Sequence, residues 1–394
     1  MKTTPVPWRR CVALLGMLAV AACAQARQQS RGERADVAVL VARVLDPATG
    51  RYSGPSAILV RGGRIVEVQP RARFTPAGAD SVIDLGDMTV LPGLIDAHVH
   101  LAIGGTVRAN ALADLRAGFT TVVDLGSRTN RLLALRDSIN AGHIPGPRVL
   151  AAGMWVGTRN GVCEFNGLGI AGGPDAFRQR VRENADAGSD VIKVCVSGWP
   201  ADAYARPDEY EISDDALAAV TAEAHAREKL VIAHDISRAG VRAALRHGVD
   251  GLAHAAYLDD STAEQLRERG TFLIPTLASL TARDSSAVSR ALVAAVALAH
   301  RTGLRLVFGT DGGVLPHGEN AREMAALTAA GIPPIDVLRM ATINAARALR
   351  LDDSVGTVAR GMSADLIAVR GDPLVTLDVM RDVRWVMLRG SVVR

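Results

Sequence analysis

GLIDAHVHL (93–101) is a strand-length apolar run that closes on two histidines, and seven runs of the same kind follow it. They are FTTVVDLG (119–126), RVLAAGM (148–154), DVIKVCVSG (190–198), LVIAHD (230–235), GLAHA (251–255), TFLIPT (271–276) and LRLVFGTD (304–311). Stretches of helical period rich in Ala, Leu and Arg lie between them, as at 174–187, 213–228 and 237–247. Several of these open on Asp or Ser, the residues that cap helix N-termini. Eight apolar strands, each followed by a helix, within about 260 residues predict an α/β fold, a (β/α)8 TIM barrel over 91–350. An open doubly wound sheet is the architectural rival, but no glycine-rich phosphate fingerprint opens any of the helices.

Outward from the barrel the apolar period falls to two. VAVLVARVLD (37–46), SAILVRGGRIVEVQ (56–69) and DSVIDLGDMTVL (80–91) read as short strands, with Gly62-Gly63 as a hairpin turn. Strands return after the barrel in SADLIAVRGDP (363–373) and VRWVMLRGSVV (383–393). Flanking strands on both sides of one alternating middle predict a small β-sandwich domain built from both chain ends, 36–90 plus 351–394.

Residues 1–22 have the form of a signal peptide. Arg9 and Arg10 precede an apolar stretch, Val12 to Ala22, which is too short for a bilayer core that needs about 20 residues. Val20-Ala21-Ala22-Cys23 resembles a bacterial lipoprotein signal, which would leave a lipid anchor on Cys23 and a polar tether from Arg27 to about Arg34. Ala24-Gln25-Ala26 offers a competing cleavage site for a soluble secreted form. The expected location is the periplasm, with the membrane met only through that anchor.

The 394 residues are 48% apolar and 22% charged, which excludes a disordered chain. The formal charge of +4 includes Lys2, Arg9 and Arg10, so the mature chain is near neutral and no nucleic-acid partner is implied. A homo-oligomer is compatible with the sequence. Export permits disulfides, and Cys163 and Cys195 read either as a bonded pair or as two free, partly buried thiols.

Apolar strands should not carry ionisable groups without reason, and barrel active sites sit where strands end. His98 and His100 share one side of the first strand. The fourth carries Lys193, the fifth His234, the sixth His254 and the eighth Asp311. One lone strand histidine is an ordinary core residue, and Asp311 alone could shape a turn. Five such residues on the strand ends of one barrel form a nitrogen and oxygen donor set suited to Zn²⁺ or a similar ion. Lys193 lies inside VIKVCV, where an unpaired ammonium is costly to bury. Only Lys2, Lys193 and Lys229 are lysines, every other basic residue being arginine, so this position has a specific demand. A buried lysine of lowered pKa is a nucleophile or base, and with CO₂ it forms a carbamate, an anionic two-oxygen ligand.

These motifs, with PHGENAREM, ATINAARALRL and VGTVARGMSADLIAVRGDPL, resemble the amidohydrolase superfamily. The resemblance is to its imidazolonepropionase-like branch, which includes metal-dependent dipeptidases and ochratoxin-hydrolysing amidases. It implies two divalent metal ions, zinc first among them. His98, His100 and Asp311 would hold one, His234 and His254 the other, with carboxylated Lys193 bridging. It further implies an amidohydrolase that cleaves a small-molecule amide, a dipeptide or N-acyl amino acid, by a metal-bridged hydroxide. Asp311 would be the catalytic base. The segment after His100 is shorter than in the dipeptidases, and GLAHA lacks the acidic residue that commonly precedes the sixth-strand histidine. Candidate substrate-binding residues on loops at the same face are Tyr257, His317, Arg159 and Arg238, with Trp199 beside them. A mononuclear cyclic amidohydrolase or deaminase, and a non-catalytic periplasmic binding lipoprotein, are the competing readings.

Overall fold

The computed structural model describes residues 34–165, 167–199, 206–281 and 287–394. The signal segment, Cys23 and the tether up to residue 33 lie outside the described residues.

The N-terminal alternation forms β1 (Ala35–Val41), β2 (Arg43–Asp46), β3 (Arg51–Ser53), β4 (Ser56–Arg61), β5 (Arg64–Pro70), β6 (Ala79–Asp84) and β7 (Thr89–Pro92). Gly62 and Gly63 turn β4 into β5 with φ of 55° and 74°, the left-handed pair a tight hairpin needs. The C-terminal strands are the last of the chain; they pair with this group and not with each other alone. One sheet runs β5-β4-β1-β6 and uses N-terminal strands only. The other takes three strands from each end: Leu366–Val369, Trp385–Leu388 and Ser391–Val392 stand in line with β7, β2 and β3. Leu366 pairs with Pro92 and Val369 with Thr89 across the antiparallel seam. Val39, Ile58 and Ile65 of the first sheet pack with Val90, Leu366 and Met387 of the second in one buried cluster. The β-layer is thus a mixed product of both chain ends.

The eight apolar runs form eight parallel strands: β8 (Leu94–Val99), β9 (Phe119–Asp124), β10 (Arg148–Ala151), β11 (Val191–Cys195), β12 (Leu230–Asp235), β13 (Gly251–His254), β14 (Phe272–Ile274) and β15 (Arg305–Leu306). They make a three-stranded sheet, β10-β9-β8, and a five-stranded sheet, β11-β12-β13-β14-β15. Hydrogen bonds cross both gaps between these sheets. On one side Val156 N donates to Lys193 O (3.0 Å) and Cys195 N to Val156 O (2.8 Å). On the other Ala97 N donates to Phe308 O (2.9 Å) and Asp311 N to His98 O (2.8 Å). The eighth run is regular only over Arg305–Leu306, because beyond it the backbone turns its bonds to β8. Gly309 permits that approach: a Cβ there would lie 2.3 Å from Ile274 Cγ2 and 2.9 Å from His98 Cβ. The intervening helices start where their caps say they should. Thr106, Ser213, Ser237 and Asp259 each accept a backbone N–H three residues on. Among the described residues no helix is long and apolar enough to cross a membrane.

Cys163 and Cys195 are bonded, with their Cα atoms 6.2 Å apart. The bond ties the loop after β10 to β11 inside an apolar cluster that includes Trp155 and Val162. Closing a sequence separation of 32 residues stabilises the fold by about 3.7 kcal/mol in the chain-entropy account. Cys195→Ser is therefore expected to lower the denaturation midpoint by a matching amount, and reductant should reproduce the loss in the wild type. Two alkyl groups added to the unfolded wild-type chain without reductant would contradict the bond.

Candidate metal centre

Strand alternation puts Asp96 and His98 on the inner side of β8, with His100 one pleat beyond its end. His98 is buried, and so are His100, Lys193, His254 and Asp311. His100 Nδ1 stands 3.1 Å from the Gly126 carbonyl. A carbonyl only accepts, so Nδ1 carries the hydrogen and Nε2 of the neutral ring is a lone pair. That Nε2 lies 3.3 Å from Asp311 Oδ1, and His98 Nε2 lies 3.4 Å from the same oxygen. One ligand atom from each of these three residues falls within 4.8 Å of the others.

A second group faces the first. His234 Nε2 is directed at the Gly198 carbonyl (3.4 Å), which leaves Nδ1 as its lone pair. His254 Nδ1 is 2.7 Å from Thr276 Oγ1, and its Nε2 meets His234 Nδ1 at 3.0 Å. With the Thr276 hydroxyl donating to Nδ1, His254 donates its Nε2–H to His234 Nδ1; with the ring donating instead, both facing nitrogens are lone pairs available to a cation. The His98 and His254 rings are 5.4 Å apart, so the two groups adjoin.

Electrostatics favours the ligand form of each group. Burial drives His98 and His254 well below the ordinary histidine range and His234 down to about 3, and the nearby Lys193 charge adds to each shift. Burial also opposes the charge of Asp311, but protons on the His98 and His100 rings, where present, outweigh it and hold the carboxyl below its usual range. Lys193 is lowered to about 7 by burial, against the pull of Asp311. Its Nζ has no hydrogen-bond partner, and neither has His98 Nδ1. Imidazoles disfavoured from protonation, an ionised carboxylate and an orphaned buried amine fit a divalent metal site.

The backbone is strained at the same place. His254, Thr276 and Asp311 have φ of 78°, 52° and 58°, which costs on the order of 1–3 kcal/mol each and aims the three side chains inward.

Several supporting carboxylates escape a search for ligands. Asp96 accepts from His98 N, Thr310 N, Thr310 Oγ1 and Asn320 Nδ2, which locks β8 to the eighth run. Burial raises it to about 7. Asp124, raised to about 6 by burial, accepts from Leu101 N and Gly126 N and so sets the carbonyl that orients His100. Glu323 is pushed by burial to about 8 and accepts from Leu277 N and Ala278 N. Asp96 had a signal, an acid two residues before His98 inside an apolar run; Glu323 sits on a helix and had none.

The candidate substrate residues have different surroundings. His317 Nδ1 sits 2.8 Å from Asp114 Oδ2 and its Nε2 3.3 Å from His100 O, with a side chain only 3% exposed. The buried Asp114 carboxylate claims the ring, so His317 props His100 from behind. Arg238 pairs with Asp208 at 3.2 Å. Tyr257 is half-buried against the main core, and Arg159 is exposed on the loop after β10.

Residues 89–393 match the model of the amidohydrolase family. Ochratoxinase from Aspergillus niger is 26% identical, with 90% of this chain and 85% of the relative aligned. Among solved structures, a Xaa-Pro dipeptidase with methionine in its active site superposes with a TM-score of 0.85 at 26% identity. That match covers 91% of this chain and 99% of the other. A putative prolidase from Bifidobacterium longum superposes at 0.81 with 31% identity over 91% and 94% of the two chains. With two histidines on the first strand, one each on the fifth and sixth, an aspartate on the eighth run and this extent of similarity, the chain belongs to the amidohydrolase family and is a hydrolase acting on carbon–nitrogen bonds.

Proposed function

We propose that the protein is an exported, binuclear amidohydrolase that cleaves an amide bond of a dipeptide or N-acyl amino acid. Its eight strands would close as one (β/α)8 barrel through the hydrogen bonds that bridge the two parallel sheets. One observation carries the binuclear reading: the orphaned Lys193 Nζ, buried beside two adjoining groups of ligand-type side chains, His98, His100 and Asp311 in one and His234 and His254 in the other.

His98, His100 and Asp311 would hold one ion, and His234 and His254 the other. Lys193 would bridge them as a carbamate: the free amine attacks CO₂, an N–C bond forms and one proton leaves. The lowered pKa keeps a substantial share of the amine free at neutral pH. When bound, such ions lower the pKa of a water and polarise a carbonyl. Asp311 accepts the proton of the attacking water and passes it to the leaving nitrogen. Asp96 and Asp124 keep His98 and His100 in register while that proton moves. Zinc suits the donor set. A lipid anchor on Cys23 would hold the enzyme at the periplasmic membrane face.

The narrow grouping of His98, His100 and Asp311 favours a mononuclear alternative, a cyclic amidohydrolase or deaminase. Elemental analysis and an amide panel of Xaa-Pro, Xaa-Arg and N-acyl amino acids separate the two. About two ions per chain with release of a free amino acid is the expected result. One ion, or ammonia released from an amino-heterocycle, would replace it with the alternative.

A further inference from the structure

A cavity of about 560 Å³ opens beside the His100 half of the site, between the loops that follow β8, β9 and β10. Its inner wall is Trp155, whose ring centroid is 5.7 Å from that of His100. Trp155 is fixed by an Nε1–H bond to Leu125 O (3.0 Å). Gly126, whose carbonyl orients His100, also lines it. A Cβ at Gly126 would lie 2.3 Å from Trp155 Nε1, so the indole fits only against glycine.

Phe165 packs tilted against Trp155, with 4.6 Å between ring centroids and 46° between the planes, and the disulfide at Cys163 pins the loop that carries it. Ile103 and Leu135 complete the wall, at 36% and 37% exposure. They are two of only six large apolar side chains exposed among the described residues, and Trp199, a third, stands 6.5 Å from Phe165. Exposed apolar groups gathered at one mouth mark a binding surface. Arg128 and Arg131 stand at the same cavity, exposed, and neither has a carboxylate partner among the described residues. A guanidinium without a partner beside an apolar wall suits a ligand with one carboxylate and one apolar group.

We propose that this cavity takes the amino-acid half of the substrate, with a large apolar or aromatic side chain on Trp155, Phe165 and Leu135 and its α-carboxylate on Arg128 and Arg131. The assignment rests on the amidohydrolase reading above and narrows it to amides of apolar amino acids that keep a free carboxylate. Trp155 and Gly126 line the cavity and also adjoin His100, so a ligand seated there lies on the His100 side of the metal centre.

Sulfonamides, which this chemistry does not cleave, test the pocket apart from turnover. Calorimetry on the metal-loaded protein would compare three: N-methanesulfonyl-phenylalanine, N-phenethyl-methanesulfonamide without the carboxylate, and N-methanesulfonylglycine without the side chain. The first is expected to bind at least about tenfold more tightly than either other. Arg128→Ala/Arg131→Ala should collapse the preference over the carboxylate-free compound to within about twofold. Phe165→Ala should do the same for the preference over the glycine compound. Ratios near one in the wild type, or ratios that survive both substitutions, would overturn the assignment. Failure of the amide panel with these ratios intact would instead remove the proposed reaction and leave the pocket standing.

Discussion

Asp311→Asn is expected to fold, retain metal with reduced affinity and hydrolyse amides several orders of magnitude more slowly. Asparagine keeps an oxygen that can coordinate, but its amide cannot take a proton from water. General-base contributions run to about 10²–10⁴ in rate, and weaker activation of the water adds to that. The substitution is also clean in the backbone. Position 311 has a φ of 58°, and asparagine is one of the few residues besides glycine that adopts this region readily. Alanine would mix a conformational cost with the chemical one. The measurement is kcat for a panel amide beside metal content and melting temperature. A variant within tenfold of the wild type would move the base elsewhere.

Lys193→Ala is expected to lose one of the two ions and nearly all activity while keeping its fold. The side chain is 2% exposed and its Nζ has no hydrogen-bond partner, so alanine orphans no polar group. The cost to stability is lost alkyl packing, of order 2–3 kcal/mol for a truncation of this size. A purely structural lysine would show that loss and nothing else. Elemental analysis separates the outcomes: occupancy falling from about two ions to about one supports the bridging carbamate. Full occupancy with full turnover would show that the metals are held without it.

Much of the barrel was legible in the sequence because its strands are continuous apolar runs, and the ligand candidates were legible because they interrupt those runs. Period two placed His98 and His100 on one side, and the geometry brings both to Asp311 Oδ1. His317 shows where that logic ends. Its position in a loop after the eighth run suggested a group facing the mouth, yet it is claimed by Asp114 from a helix some two hundred positions earlier. Periodicity states which residues of one element share a side; it is silent on what a distant element presents to them. Glu323 was invisible for the same reason, since its task is to accept the N–H groups of Leu277 and Ala278. The pocket wall was missed because three loops contribute to it, and no local pattern in any one of them encodes their meeting.

The interleaving of the chain's two ends has a consequence for the order in which the chain is delivered to the place where it folds. β7 leads through Gly93 straight into the first barrel strand, and its antiparallel partner begins at Leu366. The chain is delivered N-terminus first, so the seam from Thr89 to Pro92 arrives well over two hundred residues ahead of that partner. Gly93 N waits too, since its acceptor is the Asp365 carbonyl. During that interval a buried apolar edge, Val90-Leu91, stands open to other nascent chains. A stop codon that removed only the last thirty residues would spare every metal ligand and still leave that edge half-covered. Such a truncation should therefore be lost to proteolysis or aggregation before its active site is ever assembled.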